Sequence, residues 1–250
     1  MCSGIQLDWK KNKYMKTICV ISARGGSRGV PGKNIRTING KPLIVWSIEQ
    51  ALATKEIDKV VVSTDSEEIA KVAREAGAET PFIRPNFLST SEAGKFGVFK
   101  HALEACEEYY NEKFDIYVDL DCTSPLRDVE DISACIKLFK EKKLNGVDGV
   151  FTICEARKNP YFNLLESNEK GALKICKKLE NTIIRRQDAP NVYEHVASIY
   201  VLDPEYIKKA NYLLDGHTEG YDIGSEKSLD IDSDFDFLLI EYLMKIKNTK

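Results

Sequence analysis

No run of apolar residues in this sequence approaches the roughly 18 that a helix needs to cross a bilayer. The N-terminus also lacks the apolar core of a secretory leader, so the chain is expected in the cytoplasm, with no membrane among its partners. Basic residues are not in excess: 36 Lys and Arg stand against 39 Asp and Glu, giving a net charge of −3. Without a basic field, nucleic acid is excluded as an expected partner. The seven cysteines are odd in number and form no C-x-x-C pair, and several lie inside apolar runs where a thiol packs as a small hydrophobe. That is the usage of a reducing compartment. The three histidines, His101, His195 and His217, show no metal-ligand spacing, and no internal repeat or low-complexity tract interrupts the chain.

The chain is 250 residues long, enough for one full α/β core with a small appendage. The appendage and core divide as follows. Residues 1–14 are a polar extension ending just before a second methionine, Met15; residues 15–250 form the main domain; residues 155–192 form an inserted subdomain. Around one stretch the rest is organised: Ser22-Ala23-Arg24-Gly25-Gly26-Ser27-Arg28-Gly29-Val30-Pro31-Gly32-Lys33-Asn34, between the apolar run 17–21 and a helix predicted from Pro42. Its glycines uncover backbone N–H groups and admit positive φ angles, while Arg24, Arg28 and Lys33 add cations. A polyphosphate fits such a cradle. It is neither a Walker A loop, which would need Gly at 27 and Ser or Thr at 34, nor a G-x-G-x-x-G turn.

Strands and helices alternate through the first 150 residues, which predicts a parallel, doubly wound sheet with its ligand site at the carboxyl ends of the strands. Strands are predicted at 17–21, 59–63, 81–84, 116–120, 149–154 and 197–202, and helices at 42–53, 66–76, 96–110, 128–142 and 235–247. Within 155–192 the segments 164–166 and 173–176 flank a turn and read as an antiparallel hairpin. Such a hairpin has too little mass to bury its own apolar residues, which predicts a homodimer.

Asp230-Ile231-Asp232 puts two carboxylates on one face of an extended segment, a donor pair suited to Mg²⁺ or Mn²⁺ bridging phosphates. The alternative is a cap for the C-terminal helix, a task open also to Ser233 or Asp234. Asp119-Leu120-Asp121 is a second such pair. Cys122 lies beside it but has no histidine partner at an interpretable place, so it reads as a packed thiol before a nucleophile.

Six segments in order resemble one family: Ala23-Arg24 to Lys33-Asn34, Ser63-Thr64-Asp65, Arg84-Pro85, Thr123-Ser124-Pro125-Leu126-Arg127, Arg185-Arg186-Gln187-Asp188 and Asp230-Ile231-Asp232. They span about residues 16–242 and are similar to the acylneuraminate cytidylyltransferases, the CMP-sialic acid synthetases. The resemblance implies an α/β nucleotidyltransferase fold, doubly wound and mostly parallel, with a protruding dimerisation subdomain. It implies that CTP lies on Ala23, Arg24, Gly25, Gly26, Ser27, Arg28, Lys33, Asn34 and Arg84, with Arg24, Lys33 and Asp232 as the catalytic set. Asp230 and Asp232 would hold the metal, and Asp121, Thr123, Ser124, Arg186 and Gln187 would meet a nine-carbon sugar acid. Three departures from the family pattern stand out: Asp121-Cys122 replaces Gln-Pro, Val196-Ala197 replaces Asn-Gly, and Lys95 replaces a Ser. Asp-Leu-Asp together with Lys95 and Asn159-Pro160-Tyr161-Phe162-Asn163-Leu164 resembles the subgroup that uses legionaminic acid. Two rivals are a glycosyltransferase of related fold using Asp119 and Asp121 as a D-x-D motif, and an inactive nucleotide-binding homologue.

Overall fold

The computed structural model describes residues 14–26, 29–181 and 183–247. Short β-branched runs build a six-stranded sheet flanked by helices. Its strands are β1 (Thr17–Ser22), β4 (Lys59–Ser63), β5 (Ile116–Leu120), β6 (Gly149–Glu155), β9 (Tyr193–Leu202) and β10 (Thr218–Asp222), in the order β10-β6-β9-β5-β1-β4. Alternate side chains of β1 supply two cores, as a period of two requires. Cys19 and Ile21 pack with α1 (Leu43–Ala53), α2 (Glu67–Glu75) and α4 (Val129–Lys143), whereas Ile18 and Val20 pack with α3 (Lys95–Tyr110) and α5 (Pro204–Lys209). A third cluster joins Val30, Leu126 and Ile231 to Phe237, Ile240 and Met244 of α6 (Asp234–Lys247), and so ties the glycine-rich loop to the C-terminal segment.

β1 pairs in parallel with β4 on one side and β5 on the other. The chain leaves β1 in one direction and returns on its other side, so the carboxyl ends of β1 and β5 form the crevice where open α/β sheets bind ligands. The sheet is mostly parallel, as expected, but β9 runs antiparallel to both β5 and β6. The predicted strand 81–84 is absent: Pro81 and Pro85 bracket it, and the region touches the sheet through one bridge, Val61 to Glu79.

Four small elements were not predicted from the sequence. β10 is polar and half-exposed, so it carries no apolar alternation. α5 opens on Asp203, whose carboxylate caps Glu205 N–H, and Pro204. β2 (Thr37–Ile38) and β3 (Lys41–Pro42) close around Asn39-Gly40, both at positive φ, which is the two-residue hairpin turn that Asn-Gly favours. In the inserted region, β7 (Leu165–Ser167) and β8 (Leu173–Ile175) form the expected hairpin. The Asn168 side chain accepts from the N–H groups of Lys170 and Ala172 to fix its turn. Leu165 and Leu173 are 52% and 67% exposed there, with no core of their own.

Candidate active site

The glycine-rich loop leaves the sheet at Ser22 and is held by its own short polar contacts. Ala23 N–H continues the ladder to Ser63 O, Gly25 N–H donates to Asp65 Oδ1 at 2.9 Å, and Asn34 Nδ2 donates to Arg24 O at 2.9 Å. Gly32, at φ 64°, opens the one-turn helix Lys33–Ile35. Gly29 lies so close to Asp232 that a methyl group in its place would run into the Asp232 carbonyl oxygen. Lys33 crosses the same junction: its ammonium donates to Ile231 O at 2.5 Å and stands 3.6 Å from Asp232 Oδ1.

Opposite lies the turn after β5. Arg127 is fully buried and grips this turn from behind, donating to Asp121 O at 2.7 Å, Ser124 O at 2.8 Å and Ser47 Oγ at 2.5 Å. Asp121 Oδ1 accepts from Thr123 N and Thr123 Oγ1, and Oδ2 accepts from Lys95 Nζ at 2.9 Å. Lys95 Nζ also lies 3.0 Å from Asp119 Oδ1, while Ser22 Oγ donates to Asp119 Oδ2. Burial raises the Asp119 carboxyl above its ordinary value, and Lys95 only partly offsets this. At Asp121 burial works the same way but is outweighed by Lys95 and Thr123, which bring it down to about 2. Burial opposes the Lys95 charge, yet Asp119 and Asp121 push its pKa well above the ordinary lysine range. The chain's own ammonium thus stands where a D-x-D motif would hold a metal.

The third wall is Asp230-Ile231-Asp232. Ile231 is buried and its N–H donates to Thr123 O, so the two flanking carboxylates turn the other way, into the cavity. Capping of α6 falls to other residues: Ser233 Oγ accepts from Asp236 N–H, and Asp236 Oδ2 accepts from Ser233 N–H and Asp232 N–H. Asp230 and Asp232 are therefore not needed as caps. Burial and the neighbouring Asp232 and Asp121 charges raise the Asp230 carboxyl.

These walls enclose a cavity of about 320 Å³ faced by Arg24, Lys33, Asp121, Thr123, Asp230 and Asp232. Among the described residues no group of three His, Cys, Asp or Glu side chains could hold a metal by themselves. A carboxylate pair that repels itself beside Lys33 is a donor set for a hard cation that completes its shell with phosphate and water oxygens.

Several predicted site residues are engaged within the protein, stand elsewhere or lie outside the described residues. The Ala23 and Gly25 N–H groups are bonded within the protein, and Ser27 and Arg28 lie outside the described residues. Gly26 faces open space. Asn34 lines the cavity, but its amide binds Arg24 O and accepts from the Cys122 thiol, so it shapes the loop. Arg84, only 4% exposed, stands behind that loop, bonded to Ser89 Oγ and 3.9 Å from Asp65 Oδ1. Ser124 is buried, its hydroxyl donating to Ala197 O, and does not reach the cavity. Arg186 and Gln187 line a separate cavity of about 290 Å³ with Glu155 and Asn159, and Arg186 donates to Ala156 O. Burial pushes the Cys122 thiol up to about 12, which suits the packed role and not a nucleophile. Sequence reading placed Gly29 in the cradle and Asp65 in a family segment without their contacts to Asp232 and Gly25, and noted Lys95 only as a departure from a pattern.

The family model for the cytidylyltransferases matches residues 18–249. A flagellin post-translational modification protein B from Campylobacter coli is 39% identical over 231 residues, 92% of this chain and 96% of that one. The CMP-N,N'-diacetyllegionaminic acid synthase of Campylobacter jejuni is 38% identical with the same coverage. An N-acylneuraminate cytidylyltransferase of Streptococcus agalactiae is 31% identical over 94% of this chain and 56% of its own length. In fold, the chain is similar to a CMP:2-keto-3-deoxy-manno-octonic acid synthetase solved with CTP, with a TM-score of 0.70, 16% identity and coverage of 93% and 99%.

Proposed function

The chain belongs to the cytidylyltransferase family, and from that premise we propose that it joins CMP from CTP to a nine-carbon 2-keto sugar acid, releasing pyrophosphate. The observation that carries this is the cavity where Arg24 and Lys33 of the glycine-rich loop face Asp230 and Asp232 at the carboxyl ends of β1 and β5. The anomeric hydroxyl of the sugar acid attacks the α-phosphorus in line. A new O–P bond forms as the α-phosphorus loses the oxygen it shares with the β-phosphate, which leaves on pyrophosphate, and the hydroxyl proton passes to water. Arg24 and Lys33 bear on the charge that develops on the phosphates, and the enclosed walls hold the reactants in register. Asp230 and Asp232 would hold Mg²⁺ or Mn²⁺, which when bound supplies Lewis-acid neutralisation of the phosphate oxygens. Asp121, held ionised, is a poor base and serves as a fixed hydrogen-bond acceptor on the sugar side.

For the acceptor we favour a legionaminic acid over N-acetylneuraminic acid. The relative at 38% identity, named for N,N'-diacetyllegionaminic acid, and the Asp121–Lys95 pair both support this. A homodimer is part of the reading, because Leu165 and Leu173 of the hairpin and the 82% exposed Ile184 leave apolar surface uncovered within the inserted region. Arg186 and Gln187 then serve a sugar acid at the cavity they line or at a neighbouring copy's site. Dependence on CTP, a cytoplasmic metabolite, supports a cytoplasmic location.

Incubation with CTP, Mg²⁺ and legionaminic, pseudaminic or N-acetylneuraminic acid tests this directly. Pyrophosphate release with at least one acid is expected, with the highest kcat/KM on legionaminic acid. No release with any of them would refute the function. A tenfold preference for N-acetylneuraminic acid, about 1.4 kcal/mol, would refute the acceptor alone.

A further inference from the structure

Asp121 is a carboxylate of the cavity wall that the reading above puts on the sugar side, and most of its hydrogen-bonding capacity is already taken. An ionised carboxylate offers about four acceptor positions. Thr123 fills two through its N–H and hydroxyl, and Lys95 fills a third at 2.9 Å. One remains. Lys95 itself is held hard: it opens α3, lies 3.0 Å from the fully buried Asp119, and stands 4.2 Å above the ring of Tyr200. Tyr200 and Asp119 belong to paired positions of β9 and β5, so the ammonium is positioned by the sheet and not by a loop.

We propose that Lys95 is the positioning residue that sets acceptor selectivity: it fixes Asp121 with a single open acceptor position, so the site takes sugar acids that present a hydroxyl or amide N–H there and rejects those that present only an acceptor. This rests on the cytidylyltransferase reading above and adds the residue that tunes its sugar side. The physical reason is asymmetry of cost. A substrate donor completes the Asp121 shell, whereas a carbonyl or carboxylate facing a fixed anion has no partner and repels it. Lys95 does not line the cavity itself, so its influence passes through Asp121.

The test uses the full-length protein with CTP, Mg²⁺ and N,N'-diacetyllegionaminic acid, comparing wild type with Lys95→Met, Asp121→Asn and the double variant. Lys95→Met is expected to raise the KM for the sugar acid at least tenfold while the KM for CTP stays within twofold. Asp121→Asn places an N–H against the Lys95 ammonium and should lose a similar factor. The double variant removes that clash, so its loss should be no greater than the worse single loss. Losses that multiply, or a Lys95→Met effect confined to CTP, would overturn the proposal. If Lys95→Met does not fold because Asp119 is left unpaired, Lys95→Arg decides. It keeps the charge but replaces a point donor with a planar fork, and must shift the sugar-acid KM at least threefold. An unchanged sugar-acid KM there would equally overturn the proposal. Absence of pyrophosphate release by wild type would instead count against the enzymatic reading itself.

Discussion

Replacing Lys33 by Ala removes a cation that performs two tasks whose sizes differ enough to separate. As a structural tie, Lys33 makes a charged hydrogen bond to Ile231 O and a 3.6 Å ion pair with Asp232. Asp232 is 79% exposed, so the pair is screened and contributes little. The hydrogen bond is partly replaced by water once the side chain is gone, leaving a stability loss of about 1 kcal/mol. For a chain of this size that lowers Tm by about 2 to 4 °C. As a phosphate ligand, Lys33 is a preorganised charge in a walled cavity, and losing one such donor costs about 2 to 4 kcal/mol of transition-state stabilisation. That corresponds to a roughly 30- to 1000-fold fall in kcat/KM. Steady-state pyrophosphate release with varied CTP, alongside a thermal melt, measures both. Turnover equal to wild type would refute the phosphate role, and an unfolded variant would mean that the loop is structural first.

Gly29→Ala should drive the loop away from the Asp232 carbonyl, costing about 1 to 3 kcal/mol and weakening Mn²⁺ binding followed by titration; unchanged binding would count against the close approach. Arg127→Met leaves the Ser124 carbonyl without its Arg127 donor and the Asp121 carbonyl with only the long Ser47 hydroxyl bond, and should cost about 2 to 4 kcal/mol in urea denaturation, with no rescue by Lys, which lacks the fork. Asp121 has a folded pKa depressed to about 2, so its contribution is complete above the unfolded value near 3.8 and is lost as pH falls through about 2. Asp121→Asn should therefore flatten the acid limb of a melting series by about 2 kcal/mol, and an unaltered limb would contradict the Lys95 pairing. Chelation should stop turnover, and Asp232→Ala should be more damaging than Asp121→Ala; activity indifferent to chelator would remove the metal from the scheme.

The glycine-rich loop, the carboxyl-end placement of the site and the Asp230–Asp232 pair were legible in the chain because each is local. Glycine spacing, strand–helix alternation and a two-residue period are properties of neighbouring residues. The hairpin at 165–175 was legible for the same reason, its turn being set by Asn168 and Gly171. What the chain could not express is what pairs across distance. The antiparallel direction of β9 depends on which edges it meets, not on its own apolar pattern. Ser124 looked polar and available, yet its place beside β9 buries it against Ala197 O. Arg186 was expected to meet the sugar acid beside Asp121 and Thr123, yet the inserted region carries it to a second cavity. Lys95 and Asp121, 26 positions apart, become a charge pair only because α3 begins over the carboxyl end of β5, beside Tyr200 of β9. Local sequence determined the chemistry offered at each element's end. Tertiary packing decided which groups remain free to use it, because a hydrogen bond already made inside the protein is one a ligand cannot have.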